Sequence, residues 1–95
     1  MKIHVEFLSL PIVSKIVGRK SLSLDFPGGT VDDLIKHLAG LYGPGVSKFL
    51  LDKAGKLDLG FQVLLNKKEW ISREETTRSL ENGDHLQIMM LVSGG

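Results

Sequence analysis

The residues best suited to chemistry in this chain stand at its end, as Ser93-Gly94-Gly95. Glycine has no Cβ, so two in succession lie extended in a narrow channel and adopt backbone angles closed to other residues. A carboxylate on Gly95, presented this way, reaches into another protein's active site without steric hindrance. Against this stands the inert alternative, because chain ends are commonly small and loosely held. What precedes the pair shifts the balance. Leu86-Gln87-Ile88-Met89-Met90-Leu91-Val92 has the composition of a strand. A rigid strand that feeds a flexible, reactive end over about 92–95 is the layout of a carrier.

No other group in the chain competes with Gly95 as a reacting residue. His4, His37 and His85 lack ligand spacing, and with no cysteine present a metal site is not expected. Ser14, Ser47 and Ser93 have no histidine in a recognisable motif, so a serine nucleophile has no support. Asp32 and Asp33 are accounted for by helix capping, which removes them as a catalytic carboxylate pair. Pro27-Gly28-Gly29-Thr30 resembles a phosphate loop only in its glycines and lacks the following Lys-Ser/Thr. Lys67-Lys68 reads as a solvated turn. The chain therefore supplies no acid, base, metal or bound cofactor of its own, and it reads as a co-substrate and not as an enzyme.

Bulk composition narrows the class further. At 95 residues the chain is expected to form a single domain over 1–95 with one hydrophobic core. Its 42% apolar and 24% charged content are those of an ordinary soluble protein. A net charge of +1 argues against a broad nucleic-acid footprint. The start, Met1-Lys2-Ile3-His4-Val5-Glu6-Phe7, alternates and so does not read as a signal peptide. No apolar run approaches the roughly 20 residues that span a bilayer. The expectation is a cytoplasmic protein that contacts neither nucleic acid nor membrane.

The elements that must position the tail follow from periodicity. Ile3, Val5 and Phe7 alternate with His4 and Glu6, the pattern of a half-buried strand, and Leu22, Leu24 and Phe26 repeat it. Between them, Ile12, Val13, Ile16 and Val17 suit a short helical turn over one end of the core. Thr30-Val31-Asp32-Asp33 places an N-cap hydroxyl before two carboxylates, where the helix dipole favours negative charge. Val31, Leu34, Ile35, Leu38 and Leu41 form one apolar stripe, and Gly43-Pro44 ends the helix. Val46 to Leu51 adds a helical turn with Phe49 and Leu50 inward. Phe61, Val63 and Leu65 make a third strand, Trp70-Ile71 a short fourth, and Leu80 anchors a loop. Asn82-Gly83 turns the chain into a last strand bearing Leu86, Ile88, Met90 and Val92. The expected fold is α+β, a mixed sheet of four to five strands packed on one main helix, with the first and last strands parallel at its centre. That is the ubiquitin-like β-grasp arrangement. Leu8, Met89 and Leu91 fall out of phase with the core faces, so they are candidates for a partner-binding patch on the opposite surface. The competing reading covers Leu8 and Leu91 with the Ile12 to Val17 segment.

Taken in order, several pieces of the chain resemble the ubiquitin-like sulfur carriers of the MoaD/ThiS family, in particular the molybdopterin synthase small subunit. The matching pieces are Ile3-His4-Val5-Glu6-Phe7 and Pro27-Gly28-Gly29-Thr30-Val31-Asp32-Asp33-Leu34. Val63-Leu64-Leu65-Asn66, Leu80-Glu81-Asn82-Gly83-Asp84 and Leu91-Val92-Ser93-Gly94-Gly95 follow. The long Leu8 to Lys20 segment is similar to the molybdopterin type more than to the thiamine type. The resemblance implies that an E1-like adenylating enzyme activates Gly95, using its own ATP and Mg²⁺. A persulfide sulfur donor then converts Gly95 to a thiocarboxylate, which serves molybdenum or tungsten cofactor biosynthesis in a complex with the molybdopterin synthase large subunit. Val92, Ser93 and Gly94 would thread the partner's channel. The same chemistry fits a thiamine or cysteine pathway, or a protein modifier joined to lysine by an isopeptide bond through Gly95.

Overall fold

The computed structural model describes residues 1–90. Five strands form one sheet in the order β2-β1-β5-β3-β4. They are β1 (Lys2–Leu8), β2 (Ser21–Asp25), β3 (Phe61–Leu65), β4 (Glu69–Ile71) and β5 (His85–Met90). β1 and β5 run parallel side by side, and every other pairing is antiparallel. The main helix, α2 (Val31–Tyr42), crosses one face, with α1 (Pro11–Val17) and α3 (Pro44–Leu50) at its flanks. This is the expected mixed five-stranded β-grasp sheet with two further short helices.

Alternation sorts each strand into a face covered by helices and a face left open. Ile3, Val5 and Phe7 of β1 meet Leu86 and Ile88 of β5, Val63 and Leu65 of β3, and the buried Val31, Leu34, Ile35 and Leu38 of α2. α2 begins where the sequence places it. Thr30 Oγ1 accepts from the Asp33 N–H at 3.2 Å, and the Asp33 carboxylate accepts from the Thr30 N–H at 3.0 Å. This reciprocal capping satisfies two of the amides that every helix start leaves open. Gly29 makes it possible: its φ is +134°, and a Cβ there would stand 2.4 Å from the Asp33 carboxylate.

Two apolar residues expected in the core are not there. Leu41 is 56% exposed, because the stripe continues from Leu38 to Tyr42, a full turn on, which leaves Leu41 off the packed side. Met90 is 50% exposed although it shares the inner phase of Leu86 and Ile88, since it lies at the sheet end opposite Phe61. On α1 the burial falls on Val13 and in part on Val17, while Ile12 faces outward and Ile16 lies against α3. α1 and α3 touch closely: a Cβ at Gly45 would lie 2.9 Å from Ile16 Cδ1.

Candidate functional site

β5 is the element that leads to the diglycine, and it is held on both sides. Its pairing with β1 runs from His4↔His85 to Leu8↔Met89, and its pairing with β3 from Leu65↔Leu86 to Phe61↔Met90. A strand hydrogen-bonded along both edges has little freedom to tilt or slip, because any shift breaks two ladders and inverts its side chains. β5 is therefore an immobile base up to Met90. Gly95, expected to react, Val92, Ser93 and Gly94, expected to thread a channel, and Leu91, expected in the partner-binding patch, lie outside the described residues.

The open face of the sheet carries the predicted contact residues side by side. Leu8 and Met89 are directly opposite on neighbouring strands, both half-buried. Residues so placed have Cβ atoms in contact range and act as one surface. The patch extends further than the sequence reading carried it. Leu64 of β3 faces Gln87 of β5 on one side and Trp70 of β4 on the other, and Trp70 is 52% exposed. The single tryptophan of the chain thus stands at the far side of an apolar band in which Leu8 faces Met89 and Leu64 faces Trp70, the two pairs meeting on the diagonal between Gln62 and Gln87. The signal for Leu64 was its place out of phase between Val63 and Leu65, the same signal that singled out Leu8 and Met89.

α1 does approach Leu8 but leaves a recess beside it. Leu8, Ser9, Leu10, Pro11, Ser14 and Lys20 line a depression of about 480 Å³ at the end of β1, next to the end of β5. Ser9 there takes a left-handed φ of +54° to turn the strand into α1.

Polar groups occupy the other end of the open face. His4 and His85 are opposite one another in the ladder, as their strand positions suggest. His4 Nδ1 is 2.6 Å from Ser23 Oγ. Glu6 accepts from Gln87 Nε2 at 2.9 Å and lies 3.5 Å from His85 Nε2. Among the described residues no three histidine or carboxylate side chains are placed to hold a metal ion. Asp32 and Asp33 are committed elsewhere, Asp32 to Lys36 at 3.0 Å and Asp33 to the helix cap. Hydrogen bonds from the Thr30 backbone and hydroxyl hold the Asp33 carboxyl below the usual aspartate range. His37 packs its ring against Phe26 at 5.6 Å between centroids. Among the described residues no helix is long and apolar enough to cross a membrane.

No protein-family model matches this chain, and no curated protein does. Its fold does match solved structures along nearly its whole length. SAMP1 of Haloferax volcanii, a small archaeal modifier protein, aligns with a TM-score of 0.78 at 23% identity, covering 100% of both chains. CysO of Mycobacterium tuberculosis aligns with a TM-score of 0.75 at 26% identity, over 95% of this chain and 99% of that one. A Pyrococcus furiosus protein described as subunit 1 of a molybdopterin converting factor aligns with a TM-score of 0.68 at 18% identity, over 97% and 99%. The chain shares with them the ubiquitin-like β-grasp fold, which meets the expectation drawn from its motifs.

Proposed function

We propose that this chain is a sulfur carrier that works through the carboxylate of Gly95. The observation that carries the reading is the anchoring of β5 between two ladders up to Met90, with only Leu91, Val92 and Ser93 between it and the diglycine in sequence. A carboxylate is a poor electrophile, because its charge repels nucleophiles and oxide is a bad leaving group. An E1-like adenylating enzyme would attach AMP to Gly95 from ATP with release of pyrophosphate. The outer sulfur of a persulfide donor would then displace AMP to form an acyl disulfide. A second thiol would attack its S–S bond, leaving a thiocarboxylate on Gly95 and a disulfide on the donor. In the molybdopterin synthase assignment, the larger subunit receives Gly95 in its active site and passes the sulfur to a pterin precursor. Leu8, Met89, Leu64 and Trp70 would seat that subunit while Val92, Ser93 and Gly94 thread its channel. An aromatic anchor with aliphatic neighbours is the composition of an interface centre.

A second reading has its own support. SAMP1 at 23% and CysO at 26% identity are more like this chain than the molybdopterin-factor protein at 18%. These likenesses favour either sulfur delivery in another pathway, such as that of cysteine, or attachment of Gly95 to protein lysines.

Intact-mass and C-terminal peptide analysis of the protein from its own cells tests both. Sulfur in place of oxygen on a terminal Gly95 is the expected result. Gly95 joined to lysines of other proteins selects the modifier. A carboxylate that stays unchanged with ATP and the cognate activating enzyme, or a native end elsewhere than Gly95, overturns the carrier reading.

A further inference from the structure

The sheet has two edges, and they are unlike. β4 is only three residues long, and the Arg78 guanidinium grips Glu69 at its start with both nitrogens. β2 is five residues long and carries no such cover. Its pairing with β1 shows which way its backbone points. The Met1 ammonium and the Phe26 N–H each reach the other residue's carbonyl at 2.8 Å, and the Phe7 N–H donates to the Lys20 carbonyl at 2.8 Å. In an antiparallel ladder the bonded pairs recur at every second residue. The pairs between those two, Ile3/Leu24 and Val5/Leu22, are therefore the bonded ones. The amides and carbonyls of Ser21, Ser23 and Asp25 face away from β1, and all three residues are exposed. Among the described residues no hydrogen bond from the loops or helices reaches those groups.

Edge strands usually carry a charge, a proline or a bulge in mid-strand to block pairing with another chain. Here the middle of the edge is serine on one face and half-buried Leu22 on the other. The one mid-sheet charge near it, Asp25, closes the far end in an ion pair with Lys2 at 3.1 Å. At the near end stand Arg19 and Lys20, neither of which forms an ion pair among the described residues. A depression of about 500 Å³ opens inward from the edge, lined by Arg19, Ser21, Leu22 and Ser23, by His4, Val5 and Glu6 of β1 and by His85 of β5. Glu6 is the one carboxylate there, and Gln87 and His85 already engage it.

We propose that the β2 edge is a second docking site, which takes an extended acidic segment of a partner protein as a sixth strand. The partner's backbone pairs with Ser21, Ser23 and Asp25. Its apolar side chains lie on Leu22, and its alternate acidic side chains lie in the depression against Arg19. Strand addition takes its affinity from backbone bonds and its specificity from alternate side-chain positions. The site lies across β1 and β5 from the Leu64 and Trp70 band, so one partner can hold the edge while another engages the open face and the tail.

The test titrates the isotope-labelled chain with a short capped peptide of alternating valine and glutamate, and with its valine–lysine counterpart. The expected result is that the glutamate peptide shifts the amides of Ser21, Ser23 and Asp25, weakens with added salt, and leaves Trp70 unmoved. Ser23→Pro removes an outward amide without touching the β1 ladder and should weaken binding about tenfold. Arg19→Glu with Lys20→Glu should reverse the preference between the two peptides. Equal binding of both peptides, shifts centred on Leu64 and Trp70, or no binding at millimolar peptide overturns the proposal. So does concentration-dependent shifting of the same amides without peptide, which would mean that the edge pairs with a second copy of this chain.

Discussion

One sheet carries two surfaces of opposite character, and they differ by single steps along the same strands. In β1, Ile3 and Val5 are fully buried and Phe7 is 2% exposed, while their neighbours Lys2 and His4 are exposed and Glu6 and Leu8 half-exposed. In β5, Leu86 and Ile88 are sealed under α2, while Gln87 and Met89 look outward. A pleated strand thus puts the core and the proposed contact surface on adjacent residues of one rigid object. The open face needs no loop of its own to hold its shape, because the covered face fixes the register of every strand on it.

The widest separation should appear in paired substitutions one residue apart. Ile88→Ala removes a fully buried side chain and should cost about 2–5 kcal/mol, read as a fall in the denaturation midpoint. Met89→Asp, its half-buried neighbour on the open face, should cost about 1 kcal/mol and leave the chain folded. It should nevertheless abolish capture of the partner proposed to engage Leu8, Leu64 and Trp70. If Met89→Asp unfolds the chain, or binds its partner normally, the two faces are not divided as described.

Next in size is Gly29→Ala. The φ of +134° and the approach to the Asp33 carboxylate both penalise a side chain, and the capping box must open to admit it. A loss of about 1–3 kcal/mol is expected from the strained backbone and weakened cap together. Because the change lies at the start of α2, the partner affinity of the open face should hold in the folded fraction.

Acid should act on the rim of the fold before it acts on either face. Asp33 is held low by the Thr30 bonds, Asp52 by its Arg73 hydrogen bond and the Lys56 amide, and Glu69 by Arg78. A carboxyl whose folded pKa is depressed contributes stability that is present above its unfolded value and lost as pH falls through the folded one. Their ordinary values are 3.8 for Asp and 4.5 for Glu, so stability should be level from neutral pH to about pH 5 and decline below it. Asp52→Asn should flatten that decline more than Glu69→Gln does. The Asp52–Arg73 pair is half-buried and Arg73 also ties the Leu57 carbonyl, whereas Glu69 and Arg78 are exposed. A denaturation midpoint that holds steady below pH 4 would contradict this.

Local rules made much of this legible. Period-two alternation gave four strands their faces, and Thr30 with Asp33 gave α2 its start, because both signals act within a few residues. Leu8 and Met89 could be singled out by phase alone. What stayed hidden depends on partners distant in sequence. Leu64 had the phase signal, but its place beside Met89 follows only from the β3–β5 register and that of Trp70 from the β3–β4 register. The free backbone of β2 follows from which pairs with β1 are bonded. Leu41 and Met90 looked like core residues because phase says which way a side chain points, not where the covering helix ends. The chemistry proposed for Gly95 is legible as composition and has no counterpart among residues 1–90.

The smallest expected effect tests whether stability can be raised without altering the open face. Between β3 and β4, Asn66 and Lys67 both take left-handed backbone angles, φ +53° and +59°, and the Lys68 N–H closes the turn on the Leu65 carbonyl at 3.0 Å. Asn66 is well placed there. Its side chain donates to Asp84 at 2.9 Å and accepts from the His85 N–H at 2.8 Å, which ties the turn to the start of β5. Lys67 has no such compensation, and a left-handed angle costs a residue with a Cβ about 1–2 kcal/mol. Glycine removes that cost and adds back part of it as unfolded-chain entropy, so Lys67→Gly should stabilise by about 0.5–1 kcal/mol. In a domain of this size that is a rise of a few degrees in Tm. Partner affinity through Leu8, Met89, Leu64 and Trp70 should not move. A gain in Tm with altered affinity would mean that the turn, and not the covered face, sets the geometry of Trp70 on β4.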